Sequence, residues 1–306
     1  PLVRAAGALL APLVLTMVAC VTPPGARGAR EAAPKPGAGA AADGWAEAGG
    51  GEDGLIFLLL GQSNMVGAPR PEAADEVGHP RVLVLAYDDC PGLGRVHDRW
   101  YPARPPLHGC GDGVGPGDAF GRALAEAYPD ATIGLVPLGI SGVDIDFFRK
   151  GVISRRRQEF RIPPDDHWPG AYEWVVDRAR RAQRAGTIRG LLLHQGESDT
   201  GDPQWVGKVA GMVADLRAEL GLGAAPFVAG ELLYAGCCGG AHNPLVAALP
   251  GEIPACRVVS ARGLAGMDAA HFDLAGQREL GARYAAAMLE LMAAAPPPAA
   301  TAAARR

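Results

Sequence analysis

The sequence predicts an α/β protein with three layers, helices covering both faces of a parallel sheet. Three observations carry that expectation. Short unbroken apolar runs recur, the first being Leu55–Leu60, and such runs suit strands buried on both faces. Longer segments with helical apolar spacing alternate with them. Three of the runs lead straight into Gly- and Ser-containing text, the place where an open α/β sheet keeps its ligands.

Taken in order, the first strand is Leu55–Leu60, ended by Gly61. Residues 81–87, RVLVLAY, read as the second strand, and 88–116 as a long irregular segment rich in Pro and Gly. Residues 118–128 have helical spacing at Phe120, Leu124 and Ala127. Residues 132–138 are a third strand, 172–185 a helix with a charged face, and 188–194 a fourth strand. A helix over 204–220 places Val209, Val213, Leu216 and Leu220 on one face. A fifth strand over 226–232 and a last helix over 274–292 complete the set, and the expected sheet order is flavodoxin-like.

The flanks read differently. Pro1–Cys20 has one early cation, Arg4, then an apolar stretch to Val18, the plan of a secretory signal and short for a membrane span. Residues 21–53 are rich in Gly, Ala and Pro and read as a flexible tether, and 293–306 as an Ala/Pro tail. The body over 54–292 suits one domain. The net charge of −4, with no long basic face, argues against nucleic acid as a partner.

Beyond Cys20 there are Cys90, Cys110, Cys237, Cys238 and Cys256. Cys90 and Cys110 flank a loop that a disulfide would close, and Cys237 and Cys238 are the candidate partners of Cys256; five is odd, so at least one is free or paired elsewhere. Their spacings fit no common zinc pattern, so no metal is expected.

Four motifs carry the chemistry. Gly61-Gln62-Ser63-Asn64-Met65 follows the first strand. Gly139-Ile140-Ser141-Gly142 follows the third. His194-Gln195-Gly196-Glu197-Ser198-Asp199 follows the fourth, and Asp268-Ala269-Ala270-His271 precedes the last helix. Each alone is weak: Ser63 or Asn64 would serve as a helix N-cap, and D-x-x-H is common. Together and in this order they resemble the sialate O-acetylesterase and acetylxylan esterase branch of the SGNH (GDSL-like) hydrolases, over roughly Leu55–Leu289. Gly113–Gly117 and Ile133–Pro137 match its text as well. Met17-Val18-Ala19-Cys20 resembles a bacterial lipobox, which implies lipidation of Cys20 and anchoring at the membrane of the cell envelope, with plain secretion as the alternative.

The resemblance implies a serine esterase that removes O-acetyl groups from carbohydrate without a cofactor. Ser63 would be the nucleophile, His271 its base and Asp268 the partner of the imidazole. The N–H groups of Ser63 and Gly142 and the side chain of Gln195 would receive the oxyanion, with Ser198 as the other candidate for the third donor. Gln62, Asn64, Glu197 and Asp199 are supporting candidates. The two carboxylates are read as fixing loop geometry, since an ester hydrolase needs one base. His194 is expected to end its strand or line the pocket, and Asp273 to cap the last helix. Trp100, Tyr101, His167 and Trp168 are candidates for stacking on sugar rings, with loop packing an equal reading. Arg155-Arg156-Arg157 reads as a solvated loop, with attraction of an acidic glycan as the other reading. The alternatives are an SGNH lipase or thioesterase on another small ester, and a glycan-binding module with a dead site.

Overall fold

The computed structural model describes residues 44–51, 53–163 and 168–294. The export segment 1–20 with Cys20, most of the tether, His167 and nearly all of the tail lie outside the described residues.

The elements are, in chain order, β1 (Gly54–Gly61), α1 (Ser63–Val66), β2 (Val82–Leu85), β3 (Trp100–Pro102), α2 (Gly117–Ala127), β4 (Thr132–Gly139), α3 (Ala171–Ala182), β5 (Thr187–His194), α4 (Trp205–Glu219), β6 (Phe227–Gly230), α5 (Gly239–Glu252), β7 (Cys256–Val259) and α6 (Leu274–Ala294). They form one sheet in the order β3-β2-β4-β1-β5-β6-β7. All neighbours pair in parallel except β2 with β3. Alternation along β1 divides the core. Ile56, Leu58 and Leu60 face α3, α4 and α5, whereas Phe57 and Leu59 face α2 and α6. The result is the three-layer sandwich expected. Its parallel strands run second, third, first, fourth, fifth, sixth. The first and third have thus exchanged places relative to a flavodoxin-like order, because the crossover leaving β1 skips one position and β4 fills it.

Several expectations need correction. The folded body starts before residue 54: Trp45, inside the supposed tether, is 6% exposed and packs edge-on against Trp100 with ring centroids 4.7 Å apart. Its indole N–H donates to the Gly51 carbonyl, closing a small loop over the start of β1. The irregular segment 88–116 contains β3, which adds an antiparallel edge to β2. Neither α5 nor β7 was anticipated. Pro244 and Pro250 inside α5 remove backbone donors and hide its helical pattern, and β7 is four residues long and includes Arg257.

Cys90 and Cys110 are bonded as expected. Cys237, however, is bonded to its neighbour Cys238, and Cys256 is free. The reason is topological: Cys237-Cys238 lies in the loop beyond the carboxyl end of β6, while Cys256 opens the parallel strand β7 at the opposite end of the sheet.

Candidate active site

β1 is where the sheet changes direction, for its neighbours β4 and β5 are reached by crossovers on opposite sides. Such a switch point leaves a crevice at the carboxyl ends of the strands. The loops after β1, β4 and β5 therefore meet, and they carry Ser63, Gly142 and Gln195. Gly61 permits the meeting. Its φ is +144°, and a Cβ there would stand 2.1 Å from the His194 carbonyl oxygen.

Ser63 is the first residue of α1 and is half-buried. Its Oγ lies 2.9 Å from His271 Nε2. His271 Nδ1 lies 2.8 Å from Asp268 Oδ2. An ionised carboxylate only accepts, so the ring proton sits on Nδ1 and the Nε2 lone pair meets the serine hydroxyl. Asp268 Oδ1 accepts the N–H groups of Ala270 and His271, each at 2.7 Å, which fixes the carboxylate within its own turn. Burial alone would raise the Asp268 carboxyl, but the His271 hydrogen bond and these two N–H donors outweigh it and hold it below its ordinary value. After His271, Asp273 Oδ1 accepts the Gly276 N–H at 2.7 Å and so caps α6, as expected.

The main-chain N–H groups of Ser63 and Gly142 donate to nothing among the described residues. Gly142 has φ +81°, a conformation that favours glycine and turns its N–H out of the strand path. α1 is a single turn of four residues, too short to add much of a helix dipole beyond its own open N–H groups.

Gln195 corrects the expectation for the third oxyanion donor. Its side chain is 1% exposed and fully engaged. Nε2 donates to Gln62 Oε1 at 3.2 Å, to the Val143 carbonyl at 3.3 Å and to Asp199 Oδ2, while Oε1 accepts the Trp205 indole N–H at 2.6 Å. An amide with both hydrogens committed inside the protein has none for a ligand. Ser198 is no replacement, because its hydroxyl donates to the Gly142 carbonyl at 2.9 Å.

Residues 53–290 match the sialic acid-specific acetylesterase family of carbohydrate esterases. The chain belongs to that family. Among solved structures, a protein from Arabidopsis thaliana is similar at 25% identity and TM-score 0.64, over 78% of this chain and 99% of that one. NanS is similar at 20% identity and TM-score 0.59, over 80% and 99%. A carbohydrate acetylesterase from Xanthomonas citri is similar at 18% identity and TM-score 0.56, over 78% and 57%. The chain is a carboxylic ester hydrolase whose class of substrate is acetylated carbohydrate.

Within this esterase the supporting candidates prove to be joints between loops. Asn64, fully buried, is the largest. Its Nδ2 donates to Glu197 Oε1 at 2.6 Å and to the Ala270 carbonyl at 2.9 Å, and its Oδ1 accepts the Phe272 N–H at 3.2 Å and the Gln277 amide at 3.3 Å. It thus grips the chain on both sides of His271. Asp199 Oδ2 accepts the Ile145 N–H at 2.9 Å, tying the loop after β5 to the loop after β4. Burial raises the Asp199 carboxyl to about 6 and raises that of Glu197 as well. His194 ends β5, is fully buried and is pushed down to about 3 by that burial. Tyr284 donates its O–H to the Leu193 carbonyl and therefore accepts from His194 Nδ1–H. His194 Nε2 lies 4.0 Å from Glu197 Oε1, but both shifts favour neutral groups, so this is not an ion pair.

The aromatic candidates do not gather at the site. Trp100 is buried against Trp45, and Tyr101 accepts the Val96 N–H on the edge strand β3. The carbonyl of Trp168 accepts from Arg157. The arginine run is not simply solvated. Arg156 donates to the Gly142 carbonyl at 3.0 Å and lies over the Phe160 ring, which borders Gly142.

Proposed function

We propose that Ser63, His271 and Asp268 act as a nucleophile, a base and its orienting carboxylate in removing acetyl groups from carbohydrate hydroxyls. The observation that supports this is the unbroken chain from Ser63 Oγ to His271 Nε2 at 2.9 Å and from Nδ1 to Asp268 at 2.8 Å. Ser63 Oγ forms a bond to the acetyl carbonyl carbon, the carbonyl pair moves onto its oxygen, and the serine proton passes to His271 Nε2. The open N–H groups of Ser63 and Gly142 receive the oxyanion. Collapse re-forms the carbonyl, breaks the bond to the sugar oxygen and delivers the proton there. Water, activated by His271, then repeats the sequence on the acetyl-serine and releases acetate.

Acetyl over longer acyl groups rests on the family, and neither xylan nor sialic acid is singled out by the residues. Acetate release from a panel of acetylated glycans, beside a chain-length series of nitrophenyl esters, tests the reading. Acetyl esters should dominate, and turnover that rises with acyl length would point to a lipase or thioesterase. Export and lipidation at Cys20 remain part of this proposal on the sequence of 1–20. Mass spectrometry of the mature N-terminus tests them, with an unmodified end at Ala19 or Val21 meaning ordinary secretion.

A further inference from the structure

With Gln195 and Ser198 committed, the main-chain N–H groups of Ser63 and Gly142 are two donors left to an oxyanion; a side-chain amide beside them would be a third. We infer that the side-chain amide of Gln62 is that third donor, giving its Nε2–H to the oxyanion. This rests on the serine-esterase reading above. Gln62 precedes Ser63 directly and is 3% exposed. Its Oε1 accepts from Gln195 Nε2 at 3.2 Å, from the Gly196 N–H at 3.4 Å and from the Ser198 N–H at 3.3 Å. Two of these donors are main-chain amides and have no acceptor form. The oxygen must therefore face them, and the choice between the two ends of the amide is not free.

Nε2 then points away from that cluster. It donates to nothing among the described residues and is not wholly buried, so it is open at the carboxyl end of β1, where Ser63 stands. Two bridges hold the amide against the Gly142 turn. Ser198 joins Gln62 Oε1 through its N–H and the Gly142 carbonyl through its hydroxyl. Gln195 joins Gln62 Oε1 and the Val143 carbonyl through its amide. One end of Gln62 is thus bonded to Ser63 and the other is pinned beside Gly142, the residues that offer the two open N–H groups. When Ser63 Oγ adds to the acetyl carbonyl, the electron pair displaced onto oxygen falls among these three donors. Charge that develops only then is where a fixed N–H helps most.

Gln62→Glu separates the two ends of this side chain. The carboxylate keeps the size and still accepts the three N–H bonds, but it no longer donates. We expect kcat to fall about 10²–10³-fold, the usual effect of losing one such donor, with KM changed less than about threefold. Phosphonylation of Ser63 by a nitrophenyl phosphonate, which builds the same charged geometry, should slow in parallel. Gln62→Met, uncharged and also without a donor, should lose a similar factor. It serves as well if the Glu variant does not fold, as judged by thermal unfolding. Turnover within threefold of the parent in either folded variant overturns the inference. So does a raised KM with kcat intact, which would make Gln62 a ground-state contact. Ser63→Ala runs beside them. If it keeps turnover, the esterase reading itself fails. If it abolishes turnover while both Gln62 variants work normally, only this inference fails.

Discussion

The two halves of the candidate active site are built differently. The half that carries Ser63 grows out of the central strand. Residues 56–62 are buried, β1 is paired along both edges, and Gly61, Gln62 and Asn64 are each locked by contacts to β5 or its loop. The half that carries His271 is a surface turn. The Asp268 side chain is 50% exposed and that of His271 27%. Few bonds hold that turn: the Asp268 cap, the Met267 N–H to the His271 carbonyl, the Cys237 N–H to the Ala269 carbonyl, and Asn64. In the proposed mechanism, then, the nucleophile and the oxyanion donors are preorganised by the sheet, whereas the base is delivered by a loop that one buried asparagine registers. Function should then be easier to separate from stability on the base side than on the nucleophile side.

The largest effects should erase the difference between the halves. Ser63→Ala and His271→Ala should each lower kcat by about 10⁴-fold or more, and the double variant by little further, because the two act as one unit. Both should fold normally. Multiplying losses in the double variant would break the unit. The next effect goes to the joint. Asn64→Leu should lower kcat about 10²-fold by letting His271 drift on the order of 1 Å, with KM nearly unchanged. It should also cost about 1–3 kcal/mol in urea unfolding, since the Phe272 N–H and the Glu197 carboxyl lose their partner. Equal damage to KM would mean that Asn64 shapes the sugar site instead.

A third prediction sits on the sheet side alone. Gln195→Leu should orphan the Trp205 indole N–H, leave Asp199 with the Ile145 N–H alone, and destabilise by about 1–3 kcal/mol per lost partner. Its kcat should fall only as far as Gln62 loosens. A fall of 10²–10³-fold with stability intact would restore Gln195 as a direct oxyanion donor.

These outcomes bear on what a sequence can show. The strands and the order of the four motifs were legible because strand residues buried on both faces are mostly apolar, as in β1, in β4 and in Leu191–Leu193 of β5. The placement of Ser63, Gly142, Asp268 and His271 was legible because each candidate is marked by a local feature: a strand end, a glycine turn, a three-residue spacing. Gln195 was misread because hydrogen-bond saturation is a property of three dimensions. Trp205 and Asp199 lie 10 and 4 residues away from it, Val143 and Gln62 on other strands' loops. The reach of Asn64 across more than 200 residues to Ala270 and Phe272 is invisible to any spacing rule. Trp45 was missed because its Gly- and Ala-rich neighbours look like linker, although one buried indole ties that segment to the core.

The smallest effect on turnover should come from Asp199, and it sharpens the comparison through pH. Its carboxyl is raised from 3.8 to about 6, chiefly by burial, against the lowering effect of the Gln195 and Ile145 hydrogen bonds. A raised acid binds its proton more tightly in the folded state than in the unfolded one. Its contribution to stability is therefore full below about 3.8 and is lost as pH rises through about 6. Asp268 works in the opposite sense: its carboxyl is held low, so its contribution is present at neutral pH and disappears only as pH falls through that lowered value. Asp199→Asn should thus remove a downward step in unfolding free energy between about pH 4 and pH 6, while its amide oxygen goes on accepting the same two N–H donors. Turnover should be unchanged, because Asp199 touches Gln195 and the Ile145 turn and not the serine or its base. Urea unfolding at half-unit pH steps, with acetate release measured in parallel, checks both statements. A profile that keeps its step in Asp199→Asn would place the titration elsewhere, and a loss of turnover would give the sheet side a charge requirement that its hydrogen bonds do not explain.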